Sequence, residues 1–171
     1  LQKTKLIFVT GKPQSGKTSM VLELVGKARN HGLSVSGIAC PGLWQKNQRS
    51  GFELLELDTG RKMLLSRRIS GLKPVPFMFD AQSLDAGHKA LCFERCKAAR
   101  VVVVDEVGRL ELADTGWAKS LYPLFSFDIP ALLWVVRSNL VEQVKNHFNL
   151  EPEVFSIDQG ILKLERRLTH S

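Results

Sequence analysis

Gly11-Lys12-Pro13-Gln14-Ser15-Gly16-Lys17-Thr18 is the stretch whose reading decides the fold. It has the G-x-x-x-x-G-K-[ST] spacing of a phosphate-binding loop. An apolar run, Leu6 to Thr10, precedes it. After it, Met20, Val21, Leu24, Val25 and Ala28 recur at helical spacing over residues 17–30, and Gly32 is a fitting stop. Strand, loop and helix in that order are the context in which this motif binds phosphate.

The residue types follow from the chemistry. Gly11 and Gly16 permit backbone conformations that a side chain forbids, so successive N–H groups can converge on one anion. Lys17 brings a point charge to the β- and γ-phosphates, and the Thr18 hydroxyl suits Mg²⁺. The loop runs into a helix N-terminus, whose free N–H groups also favour negative charge. The expected binding set runs from Gly11 through Ser19.

Arg100-Val-Val-Val-Val-Asp105-Glu106 reads as a parallel strand buried on both faces, ending in two acids. Ligand chemistry in such sheets gathers at the carboxyl ends of strands. Asp105 is therefore expected at the same Mg²⁺ as Thr18, and Glu106 is expected to orient or deprotonate a water. Ala131–Val136 is a further buried strand, ending in Arg137. If it lies between the other two, Arg137 reaches the terminal phosphate and can neutralise transition-state charge. Arg109, just past the acids, and Arg49 are further candidates for that role. Trp44 is expected either to stack on a base or to pack over the sheet edge.

The remaining chain alternates strands and helices, which indicates an α/β sheet with right-handed crossovers. Residues 33–40 and 153–157 read as strands; 81–97, 115–125, 140–148 and 159–168 read as helices. Phe52–Leu57 and Lys62–Leu65 flank Asp58-Thr59-Gly60-Arg61 as an inserted β-hairpin. Residues 43–50 read as a polar loop, and 66–80, with Pro74 and Pro76, as irregular. His88, Cys92 and Cys96 would share one helix face, where small apolar cysteines are a better reading than a metal site, since structural zinc usually takes four ligands.

Composition sets limits. The 171 residues suggest one domain, 1–171, and 44% apolar residues suffice for a core. No apolar run approaches the roughly 20 residues that span a bilayer. Three cysteines, few and odd in number, suit a reducing cytoplasm. The net charge of +7 comes from 24 Lys+Arg and 17 Asp+Glu. Those positives are dispersed without interleaved aromatics, which reads as solvated surface rather than a nucleic-acid footprint. A monomer acting on a nucleoside triphosphate such as ATP or GTP is the expectation.

Gly11–Thr18 together with Asp105-Glu106-Val107-Gly108-Arg109-Leu110-Glu111-Leu112 closely resembles the signatures of the THEP1-like nucleoside-triphosphatases. Arg49-Ser50-Gly51-Phe52 resembles that family's Arg-x-Gly-Phe. The resemblance implies a RecA-like, mostly parallel sheet flanked by helices. It also implies Mg²⁺-dependent hydrolysis of NTP to NDP and phosphate with broad base tolerance. Residues 37–42, Gly-Ile-Ala-Cys-Pro-Gly, depart from the family's Gly-Phe-[Tyr/Phe]-Thr-x-Glu, which places the chain in a divergent branch. A nucleotide or small-molecule kinase is the alternative. Such kinases usually bring several arginines in a lid, and between Glu106 and Arg137 there is only Arg109. A nucleotide-gated interaction protein is a third reading.

Overall fold

The structure, a computed structural model, describes residues 4–71 and 76–169. In chain order the first half comprises β1 (Lys5–Gly11), α1 (Lys17–Asn30), β2 (Val35–Ala39), β3 (Gly42–Gln45), β4 (Gln48–Glu56), β5 (Lys62–Arg68), β6 (Phe77–Phe79), α2 (Ala81–Ala90) and α3 (Phe93–Cys96). The second half comprises β7 (Val101–Asp105), α4 (Arg109–Leu112), α5 (Ala118–Leu124), β8 (Ala131–Arg137), α6 (Val141–Phe148), β9 (Glu153–Ser156) and α7 (Ile161–Thr169). The strands form one mixed sheet in the order β6-β5-β4-β2-β7-β8-β1-β9, with β3 paired to β4.

The parallel part is β2-β7-β8-β1-β9, so β8 does lie between β1 and β7, the condition for Arg137 to reach the loop. Alternate residues of these strands enter two cores. Val101, Val103, Leu133 and Val135 pack beneath α1 and α7 with Leu24 and Leu164. Val102, Val104, Leu132 and Trp134 pack on the opposite face with Leu121 and Val144. That double burial is why the strands read as continuous apolar runs. Among the described residues no helix is long and apolar enough to cross a membrane.

Three segments differ from the sequence reading. Residues 43–50 are not a loop: β3 and β4 form a tight hairpin through Lys46 (φ 48°) and Asn47 (φ 60°), a two-residue turn with both central residues left-handed. No glycine marks that turn, and the flanking residues are polar, so the pattern was hidden. Downstream, β5 extends to Arg68 and pairs antiparallel with the edge strand β6, where irregular chain was expected; Pro74 lies outside the described residues. The 81–97 helix breaks after Ala90, and Cys92 turns extended to start the short α3. His88, Cys92 and Cys96 therefore do not share one helix face. His88 Nδ1 lies 2.6 Å from Ser120 Oγ, and the buried Cys96 thiol donates to Ala90 O. Gly87 is tolerated inside α2 because the Trp117 ring lies against it; a methyl there would fall 2.4 Å from that ring.

Gly37 is the tightest point of the β2–β7 pairing. It holds φ 102°, and a Cβ there would lie 2.0 Å from Val103 O. Gly37→Ala is therefore expected to cost about 3 kcal/mol or more of stability. Chemical denaturation checks this, and a loss below about 0.5 kcal/mol would contradict the close approach.

Candidate functional site

The site lies at the carboxyl ends of β1, β7 and β8. Register sets its levels: Gly11 pairs with Arg137, while Val135 pairs with both Val9 and Asp105. Past Gly11, the exposed residues Lys12, Pro13, Gln14 and Ser15 curl back, with Ser15 N–H donating to Lys12 O at 3.2 Å. Gly16, at φ 91°, caps α1 in the left-handed region without any side-chain cap. Lys17 opens the helix and is buried, while Thr18 is half-buried and Ser19 exposed. The Lys17 ammonium donates to Gly11 O at 3.2 Å and Lys12 O at 2.6 Å, so it lies folded over its own loop. Burial lowers its pKa; Glu106 and Asp105 act against that, and Arg137 acts with it.

Asp105 ends β7 and is 1% exposed. Its carboxylate accepts from the Thr18 hydroxyl and, at 3.2 Å, from Cys40 N–H just past β2. Burial pushes its pKa up to about 6, because two neutral donors replace water only in part. A buried carboxylate joined to a threonine hydroxyl suits a hard divalent cation such as magnesium. No cluster of three or more His, Cys, Asp or Glu suited to a metal occurs among the described residues. Phosphate and water would thus have to supply the remaining oxygens.

Glu106 projects beyond the strand, and its Oε1 accepts from Arg137 Nη2 at 2.9 Å. Each side chain is about one-third exposed, at 33% and 35%. Arg109 opens α4 on the surface and forms no ion pair with either acid. Burial lowers the pKa of Arg49, on β4, with Glu106 acting against that and Arg137 with it. Trp44 is 52% exposed at the hairpin rather than packed over the sheet, while Trp117 and Trp134 are buried.

One residue of the arrangement was quoted in the sequence only as part of a signature. Glu111 is 3% exposed and accepts from Gly108 N–H at 2.8 Å and Trp117 N–H at 2.9 Å. It caps α4 and pins the turn that carries Glu106, helped by Val107 N–H donating to Val135 O at 2.8 Å. Burial raises its pKa against those two donors. Its place three residues after Gly108 was the available signal. A shallow cavity of about 500 Å³ lies at the other end of the sheet, beside Ser34 and Ala98. Its arginines are already committed, Arg29 to Leu57 O and Arg95 to Glu56 and Asp58.

A family model described as NTPase matches residues 6–160. The nucleoside-triphosphatase THEP1 of Methanopyrus kandleri is 30% identical over 131 residues, covering 75% of this chain and 72% of the relative. That of Methanothermobacter thermautotrophicus is 27% identical over 158 residues, covering 89% and 86%. The solution structure of a human cancer-related nucleoside triphosphatase superposes with a TM-score of 0.75 at 22% identity, over 98% of this chain and 99% of that one. The crystal structure of THEP1 from the hyperthermophile Aquifex aeolicus gives 0.69 at 18% identity, over 97% and 99%. At these identities the structural likeness shows the fold.

The buried Asp105 has a stability consequence. Its ordinary pKa is 3.8 and its folded value about 6, so the folded chain holds the proton more tightly between those pH values. Stability is therefore lost as pH rises through that window, reaching a cost of about 3 kcal/mol above it. Without divalent metal, Asp105→Asn is expected to gain about 1 kcal/mol more over the parent at pH 8 than at pH 5. Denaturation of both proteins at the two pH values checks this; equal differences would contradict it.

Proposed function

Because this chain belongs to the THEP1-like nucleoside-triphosphatase family, we propose that it hydrolyses nucleoside triphosphates to the diphosphate and phosphate, with magnesium and with broad tolerance of the base. The carrying observation is the Arg137–Glu106 pair at 2.9 Å, delivered to the level of Gly11 by the strand between the loop and the acids. Phosphoryl transfer needs positioning and charge neutralisation more than covalent chemistry, and those are what these side chains supply.

The loop from Gly11 to Ser19 offers its N–H groups to the polyphosphate, and Lys17 exchanges the carbonyls of Gly11 and Lys12 for phosphate oxygens. Thr18 and Asp105 would hold magnesium, which when bound neutralises phosphate charge and orients the chain. Arg137, drawn to the terminal phosphate, releases the Glu106 carboxylate. Glu106 then accepts a hydrogen bond from the attacking water and takes up its proton. Glu111 keeps the Glu106 turn in place through Gly108. Arg109, exposed and without an ion pair among the described residues, is the weaker arginine for this chemistry. The same reading takes residues 1–171 as one domain acting as a monomer in the cytoplasm, on free nucleotide rather than nucleic acid.

The test is phosphate release from ATP, GTP, CTP and UTP, with and without Mg²⁺ and with no acceptor added. Glu106→Gln is expected to keep nucleotide affinity while turnover falls on the order of 10²-fold or more. Lys17→Ala is expected to lose both. Undiminished release by Glu106→Gln would remove its role, and retained activity in Lys17→Ala would overturn the whole site.

A further inference from the structure

The β3–β4 hairpin has no task in the chemistry above, yet its base is at the site. It leaves β2 just after Cys40, whose N–H holds Asp105. Two residues further on, Gly42 opens β3. The Arg49 guanidinium lies directly on Gly42: a methyl there would fall 1.9 Å from Nη1. Register sets Trp44 opposite Arg49 and Gly42 opposite Phe52. The guanidinium carbon stands 4.4 Å from the Trp44 ring centre and 4.9 Å from that of Phe52. Two rings and a bare glycine thus make a cradle for one planar cation. Beside the turn, Arg49 O accepts from Arg68 Nε at 2.6 Å, which ties β4 to β5.

What this cation lacks is a counter-ion. Arg49 forms no ion pair among the described residues, and its Nε is shut off from solvent without any partner. The charged groups that act on it are the two at the mouth of the phosphate loop: Glu106, already paired, and Arg137. A guanidinium carries five donors and no acceptor, so a half-buried one with free donors is suited to an incoming anion. The two rings and Gly42 lie against the group, and among the described residues no protein acceptor occupies its N–H donors, which leaves them for an anion such as phosphate.

From the ring cradle, the unpartnered donors and the departure of the hairpin from β2 beside Asp105, we propose that Arg49 is a second phosphate-binding arginine. Its guanidinium donates to the terminal phosphate of a bound nucleoside triphosphate alongside Arg137, an assignment that rests on the nucleotide reading above. The hairpin is then a specificity element. It senses whether the third phosphate is present and makes no contact that a diphosphate could satisfy equally.

The test compares binding of a non-hydrolysable β,γ-imido triphosphate with that of the diphosphate, by calorimetry, in the parent, Arg49→Met, Arg49→Lys and Lys17→Ala. Arg49→Met, which keeps an unbranched stem between the rings, is expected to weaken triphosphate binding about 10- to 100-fold and to leave diphosphate binding within about twofold. Arg49→Lys should not restore the difference, because an ammonium neither stacks nor forks. In a further variant, Arg49→Ala, which opens the space between the rings, added guanidinium ion should restore part of it. Lys17→Ala should weaken both ligands, which separates failure of this inference from failure of the nucleotide reading. Unchanged discrimination in Arg49→Met, with a melting temperature near the parent's, would overturn the proposal. Equal weakening of both ligands would also overturn it, reducing Arg49 to a support of the hairpin.

Discussion

Parallel pairing of β8 between β1 and β7 is the constraint on which the rest depends. Val135 is the hinge of that arrangement. It faces Val9 on one side and Asp105 on the other, and its carbonyl accepts from Val107 N–H. One backbone unit thus fixes the height of the phosphate loop, the acid pair and Arg137 together. A slip of one residue would exchange every side chain between the two faces. Val102 and Trp134 would then trade places with Val103 and Leu133, whose surroundings differ in size. The packing of both cores therefore enforces the alignment that the site needs.

The charged groups gathered at that end oppose folding on their own. Asp105 and Lys17 are buried, at 1% and 6% exposure, with partners that compensate only in part. Such groups are stable only where the surroundings hold them. Here the surroundings are backbone and a threonine hydroxyl around Asp105, loop carbonyls around Lys17, and the buried Glu111 behind the Glu106 turn. Glu111 contrasts with its neighbours: its two acceptor oxygens are both engaged by main-chain donors, so it serves the loop's shape.

The parallel half of the fold was legible because its signals are local. Four consecutive valines, a glycine-rich loop and a helical period survive in one sequence without knowledge of partners. Arg137 could be placed from the sequence once β8 was taken to lie centrally, and its contact with Glu106 follows from that order. The antiparallel half was hidden for a specific reason. The β3–β4 turn uses Lys46 and Asn47 where glycine would have marked it, and Trp44 points to solvent, so no apolar alternation betrayed β3. The helix break at Leu91 was equally invisible: Leu91 is 1% exposed, and the demand that it enter the core overrides the helical period around it. Arg49 was a minor candidate because sequence distance hides its position; only the hairpin folds its guanidinium back onto Gly42, two residues past Cys40.

The ion pair between Glu106 and Arg137 bears on how a cycle ends. In the resting chain the carboxylate occupies the arginine, so the mouth of the loop is largely self-neutralised. In the proposed cycle, incoming phosphate would have to displace an internal anion, which disfavours weak or singly charged visitors. The displaced carboxylate would stay tethered to the same chain, at an effective concentration no free phosphate matches. After cleavage, Glu106 would compete with inorganic phosphate for the arginine once it has returned its proton to solvent. The residue whose removal admits the substrate would thereby also clear the product, and the site would reset without a separate moving part.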